Sequence, residues 1–353
     1  MYVYNLKKAN LQNSILFKKF IQASEKALLE ALVVPIPYSE IFYIDHSIPD
    51  AIGYRFAVKK GQKIKIETEL YSLDSVQLFI DVFRIKDSLN TDWYHVASAN
   101  KDSLYLEFIA RRNAQYIVRV QPELLCDVQC KVVIEKESSL LFPVIGRDKN
   151  SIQSFFGDPR EGGKRKHHGV DIFASRHTKV IASEDGYVSR KGNRGIGGKH
   201  VRIYYPSLGI YCYYAHLETL NVVTGSKIKT GSLIGTVGNS GNARYTPPHL
   251  HFGIYQSGLG AIDPYYYIAT ENEKSRKISN RLNLLGSSVR TNMPDIKLLV
   301  KNEYLKLPKN ANLQVCAINT SKVRVILPNG IIGFIDIENI EGLNKSRKQG
   351  RSS

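Results

Sequence analysis

Five residues in three short stretches have the types and spacing to do chemistry. They are His167 and Asp171 in HHGVD, His216 in YYAHL, and His249 and His251 in HLH. Imidazole nitrogens and carboxylate oxygens are zinc ligands, and a catalytic zinc keeps three protein ligands and one position open for water. The spacing can be set against strand geometry, in which residues an even number apart share a face. In an extended segment His167, Gly169 and Asp171 share one face, and so do His249 and His251. His168 has the wrong parity relative to Asp171, so the pattern favours His167 as the donor. A helix would also align positions four apart, but Gly169 and Val170 are poor helix formers. The flanking VDIFA and HFGIY also read as strand.

A single His-x-His on a strand is more often structural than a metal site, and a single His-x-x-x-Asp says less still. Their occurrence together, with a third histidine between them and no cysteine-based zinc pattern, points to a metal site. The surrounding blocks run FPVIG, SFFGDPR, HHGVDIFA, VIASEDGYV, GGKHVRIYY, YYAHL, GSKIKTGSLIGTVGNSG, PPHLHFGIY and IDPYYYI. In order and spacing, from Phe142 to Ile268, they resemble the LytM-type, lysostaphin-like zinc metallopeptidases of family M23, which cut peptidoglycan peptides. The resemblance implies that His167, Asp171 and His251 hold one zinc ion and that His249 and His216 are catalytic. The expected reaction is peptide hydrolysis by a metal-activated water, with the two free imidazoles handling protons and the developing oxyanion. All five positions are intact, which favours an endopeptidase over the alternative of a catalytically silent envelope protein that activates an amidase.

Two stretches depart from the family pattern. HTKV, from His177 to Val180, stands where Gly-Thr-Pro-Val is usual, and implies a changed loop outside the metal shell. NARYTPP, from Asn242 to Pro248, is irregular and is expected to wall the groove. Two further residues are candidates for touching substrate. Arg160 in GDPR is a groove residue or an ion-pair partner. Tyr214, on the face of His216 by parity, is a substrate contact or a core residue.

The chain has 353 residues, 43% of them hydrophobic, enough for several domains. No apolar run reaches the ~20 residues needed to cross a bilayer. Ile15 to Val34 comes nearest, but Lys18, Lys19, Glu25, Lys26 and Glu30 break it into an amphipathic helix with Leu16, Phe20, Ala23, Ala27 and Leu28 on one side. It is not a good signal peptide either, so the expected export to the cell envelope, periplasm or outer surface, implies a leader already removed or a start that lies inside the true reading frame. The net charge is +17 and the pI near 9.5. Such a balance suits nucleic acid or an anionic polymer. No helix-turn-helix, RNP-like or zinc-finger pattern accompanies it; an anionic cell wall explains the charge equally well, and the metal site with the resemblance above implies peptidoglycan and not nucleic acid as the partner. Of the four cysteines, Cys126 and Cys130 are close enough in sequence for a local disulfide, whereas Cys212 and Cys316 read as buried thiols.

These residues need a mainly β scaffold. Residues 1–35 read as a helical segment and 36–136 as a β-sandwich, with KIKIE, VQLFIDVFRI, SLYLEFIA and QYIVRVQP as strands. Residues 137–270 form the expected zinc peptidase domain, an antiparallel β architecture with a groove on one sheet face. ENEKSRKISNR is a linker or surface helix. Residues 287–343 read as a third β unit, similar to the small bacterial SH3-like barrels, with a hairpin at Pro328-Asn329-Gly330. The basic stretch 344–353 is expected to be disordered.

Overall fold

The computed structural model describes every residue except 1, 72–75, 87–91, 272, 302 and 343–353. The turn at Ser88–Thr91 and the 344–353 tail fall outside the described residues. The chain is mainly β, with two short helices at its start, α1 (Tyr2–Lys8) and α2 (Ile15–Leu29). Ser14 caps α2 by accepting from the Phe17 amide at 3.2 Å. The buried stripe of α2 is Phe17, Phe20, Ala23, Ala27 and Leu28. Phe17 takes the place expected for Leu16, and the helix stops at Leu29 because Leu32–Val33 pairs in parallel with Tyr54 and Arg55. Gly53 lets the helix sit directly on the sheet, since a Cβ there would lie 1.8 Å from the Ala27 carbonyl oxygen.

Two sheets then face each other. One runs Leu32–Val33, Ile52–Val58, Ala114–Pro122, Leu78–Ile85, Trp93–Ser98 in space. The other contains Tyr38–Ile44, Val128–Ser138, Gln62–Leu70 and Tyr105–Ile109. Alternating residues such as Ile64, Ile66, Val132 and Ile134 point inward against Tyr54, Phe56, Ile80 and Val118. Cys130 is buried in this core, and no disulfide joins it to Cys126. Trp93 packs beside Leu28, Phe83 and Ile117 as part of a small satellite cluster.

The second sheet does not end with the sandwich. Ile41 pairs with Ile318 and Phe42 with Ala317, so the sheet continues into strands of the C-terminal unit. That unit has its own core of Val289, Leu298, Val315, Val323, Val325 and Ile335. The hairpin expected at Pro328–Gly330 joins Lys322–Ile326 to Ile332–Asp336, with Gly330 at φ 83°. At the junction Glu40 is fully buried and accepts from Tyr38 at 2.8 Å, Tyr54 at 2.7 Å and the Arg324 guanidinium at 2.8 Å. The ENEKSRKISNR stretch is coil rather than helix where described, and it lies along the sandwich. Glu135 accepts from Lys274 Nζ at 2.7 Å and the Ser275 amide at 3.0 Å.

The central domain holds a ten-stranded sheet. Five of its strands matter most for the site: β1 (Val170–Phe173), β2 (Gly186–Asn193), β3 (Lys199–Tyr205), β4 (Ile210–Leu220) and β5 (His249–Gln256). They lie antiparallel in the spatial order β1-β5-β4-β3-β2. One face carries Val170, Ile172, Ile203, Cys212, Tyr214, Leu250, Phe252 and Ile254, which are fully buried in the domain core. The opposite face is the one that bears the chemistry. The sandwich meets this domain at the far end of β5, where Lys60 Nζ donates to Gln256 at 2.9 Å.

Candidate metal centre

Register brings the first three residues together. Asp171 of β1 pairs with His251 of β5, and His251 pairs with Ala215 of β4. Residues directly opposite in adjacent strands point the same way, so Asp171 and His251 share the outer face. His167 lies just before β1, in a segment that is not itself strand, and its ring still turns to the same corner. The result is a triangle of donor atoms. His167 Nε2 lies 2.9 Å from His251 Nδ1, and each is 3.0 Å from Asp171 Oδ1. His168, set aside by parity, is exposed.

These donors fit a zinc ion. Tetrahedral zinc with ligands at about 2.0–2.1 Å separates them by about 3.3 Å, a few tenths more than the edges of this triangle. His167 Nδ1 donates to the Phe155 carbonyl at 2.9 Å, which leaves the lone pair of Nε2 facing the corner. Asp171 divides its two oxygens: Oδ1 faces the imidazoles and Oδ2 accepts from Arg160 Nη2 at 2.8 Å. Arg160 also bonds Ser154. Of the two roles expected for Arg160, the geometry gives it the ion pair, with the Asp171 carboxylate. Burial works against ionised Asp171, but the adjoining His167 and His251 imidazoles hold its carboxyl well below the usual carboxylate range. Burial pushes the His251 imidazole down, against the pull of Asp171, and so favours the neutral ring a ligand must have.

His216 and His249 stand beside the triangle. Their rings meet edge to face at 5.1 Å, and His249 Nε2 is 4.0 Å from Asp171 Oδ1. Each is tethered through Nδ1, His216 to the Ser240 carbonyl and His249 to the Pro247 carbonyl, both at 2.9 Å. A carbonyl accepts only from N–H, so both Nε2 atoms carry lone pairs toward the site. Burial, reinforced by the nearby His249 and His251, lowers the His216 pKa to about 4.

Strand parity failed at one point. His216 sits at φ 63°, in the left-handed region that non-glycine residues seldom occupy. The pairing of β3 with β4 slips there, between Val201↔Tyr214 and Lys199↔Leu217. This bulge turns Ala215 and His216 to the same side. Tyr214, expected to share the His216 face as a substrate contact, is instead fully buried, with its hydroxyl 2.6 Å from Tyr205 and 3.1 Å from Ser183. Of the two roles expected for Tyr214, substrate contact and core residue, its burial gives the core, and the substrate contact is corrected. Tyr213 is the residue that faces the site, its ring 6.2 Å from His251. Sequence alone held no signal for the bulge. His177, where the family pattern has glycine, also has positive φ, at 70°, and its amide donates to Val237.

Gly169 closes the site from behind. A Cβ there would lie 2.5 Å from the Phe252 carbonyl oxygen and 2.8 Å from His251 Cε1. Gly169→Ala must displace either the β5 backbone or a donor ring. The expected outcome is a loss of about 1–3 kcal/mol in stability and about 10–100-fold in zinc affinity, read by thermal unfolding and by competition with a chromogenic chelator.

A mainly β domain with one carboxylate, two imidazoles at a donor corner and two tethered imidazoles beside it has the makings of a metallohydrolase. Comparison with known proteins gives the class a family. Residues 165–264 match the profile described as Peptidase family M23, so the chain carries a domain of this LytM and lysostaphin type. The chain is 36% identical over 138 residues to the L-Ala–D-Glu endopeptidase of Bacillus subtilis, covering 36% of this chain and 42% of that protein. It is 37% identical over 121 residues to the glycyl-glycine endopeptidase ALE-1 of Staphylococcus capitis, covering 33% of each. Among solved structures, the catalytic domain of lysostaphin from Staphylococcus simulans is 31% identical, covering 33% of this chain and 90% of that one with a TM-score of 0.29. The chain thus spans less than half the length of these two curated relatives.

Proposed function

We propose that this protein is a zinc-dependent endopeptidase of the cell envelope that hydrolyses peptide bonds in peptidoglycan stem peptides or cross-links. The observation that carries the reading is the donor triangle of His167, Asp171 and His251, with edges of 2.9–3.0 Å, flanked by two further imidazoles. A structural zinc site is normally closed by four protein ligands, and the extra imidazoles are tethered to carbonyls rather than turned in as a fourth. A zinc ion held there supplies Lewis acidity and an acidified water. The chain's own residues do the rest. His249 and His216 present Nε2 as proton acceptors, and their Nδ1–H bonds fix the rings and the tautomer. One Nε2 takes a proton from the attacking water and returns that same proton to the leaving amine, while the other accepts a hydrogen bond from the water and orients it. Arg160 keeps Asp171 aimed through its bond to Oδ2.

In this reading residues 137–270 do the chemistry, and the 36–136 and 287–343 units hold it against the wall. The names of the relatives, endopeptidases for L-Ala–D-Glu and glycyl-glycine bonds, support a wall peptide as substrate. The test is digestion of purified sacculi, with fragments weighed by mass spectrometry, with and without a chelator. Cleavage abolished by chelation and restored by zinc is the expected result. Intact sacculi under all conditions would leave a binding role, such as amidase activation.

A further inference from the structure

Beyond Tyr213 the outer face of the sheet carries a continuous strip of aromatic rings. The Tyr213 and Tyr255 ring centroids are 6.4 Å apart, and those of Tyr204 and Tyr211 are 4.9 Å apart. Arg202 of β3 lies in this strip, its guanidinium carbon 4.2 Å from the Tyr211 ring and 6.0 Å from the Tyr255 ring. Two rings at these distances restrict the group and its fork of donors. Yet among the described residues no carboxylate or carbonyl accepts from it, and its Nε is buried without a partner. Around the donor corner other arginines are engaged: Arg160 with Asp171, and Arg176 with Glu218.

A second observation points the same way. Arg190 of β2 pairs directly opposite Arg202 across the ladder. Like charges at opposed positions destabilise a sheet, and a strand pair that carries them is relieved by an anion between them. Arg165 adds to the field. Burial raises the Tyr255 phenol while Arg202 and Arg165 pull it down, so both cations lie near that ring. Tyr255 follows His251 by four residues along one strand, which places the Arg202 fork roughly 14 Å from the donor corner at about 3.4 Å per residue. An extended peptide crosses that distance in about three to four residues.

We propose that Arg202, backed by Arg190 and held by Tyr211 and Tyr255, binds a carboxylate of the peptide substrate about three to four residues from the cleaved bond. This rests on the endopeptidase reading and narrows it: the enzyme selects stem peptides with free carboxylates over uncharged partners such as an oligoglycine bridge. Charge-assisted, two-point recognition of a carboxylate is what a fixed guanidinium does best.

The test uses muropeptides whose stem carboxylates are free and the same muropeptides with those carboxylates amidated. Binding is titrated to the full-length protein, and cleavage rates are measured in parallel. Wild-type protein is expected to bind the free form at least tenfold more tightly, with a matching preference in kcat/KM that lies mainly in KM. Arg202→Gln brings the ratio to near one, and Arg202→Lys, which keeps the charge but not the fork, retains part of it. Equal binding of the two forms by wild type, binding of neither, or a preference that survives Arg202→Gln overturns the proposal. A binding preference without any chelator-sensitive cleavage overturns the endopeptidase reading instead, so the two failures are distinct.

Discussion

His249→Ala lowers hydrolysis of sacculi by about 10²–10⁴-fold and leaves one zinc per chain, whereas His251→Ala loses the metal and the activity together. The two residues stand in one His-x-His, two positions apart on the same strand, yet their atoms do different things. His251 turns Nδ1 into the triangle, 3.0 Å from Asp171 Oδ1. His249 Nε2 stays 4.0 Å from that oxygen, its ring stacked on Phe173 at 5.0 Å and its Nδ1 bound to the Pro247 carbonyl. Removing it leaves every donor of the corner in place. The measurement is elemental analysis of the dialysed variants beside their turnover. A His249→Ala protein that also comes out metal-free would show that this ring is a ligand and overturn the division of roles.

Either Glu40→Ala or Arg324→Ala costs about 3–5 kcal/mol, because each leaves the other charge buried and unpaired. That is a large part of the 5–15 kcal/mol by which a domain is usually stable. Glu40 is 0% exposed and Arg324 6%. Burial, with the Glu40 charge beside them, pushes the Tyr38 and Tyr54 hydroxyls well up, so both remain donors to the carboxylate. Arg324 keeps its charge although burial opposes it, because Glu40 raises its pKa well above the usual value. Replacing both residues by methionine removes the unpaired charge but strands the Tyr38 and Tyr54 hydroxyls, so the double variant is expected to recover only part of the single losses. Urea unfolding followed by circular dichroism checks this. The single substitutions should move the sandwich and the C-terminal unit together and leave the central domain's transition in place. Single substitutions that shift nothing would mean that the pair is solvated in solution.

Much of the site was legible because it is local. His167 and Asp171 are four residues apart and His249 and His251 two, and parity picks His167 over His168 although the segment before β1 is not itself strand. What parity could not foresee is a bulge, and at His216 one extra residue turned the face and exchanged Tyr213 for Tyr214. The tethers of the rings were hidden for a different reason. Phe155, Ser240 and Pro247 act through backbone carbonyls, to which side-chain identity gives no clue. The joint between the sandwich and the C-terminal unit was also beyond reach. Glu40 and Arg324 read as ordinary charged residues on separate strands, and only the pairing of Phe42 with Ala317 makes them neighbours.

That pairing bears on how the protein can be divided for production. A chain cut after the central domain would lose the strand Asn312–Ile318 and leave Tyr38–Ile44 as a bare sheet edge. A flat apolar edge with free amides and carbonyls recruits other chains. The removed unit was also the source of the cation opposite Glu40. Truncation from the C-terminus would therefore yield an aggregating sandwich rather than a trimmed protein, because the ladder that closes the sandwich edge comes from a strand far along the chain.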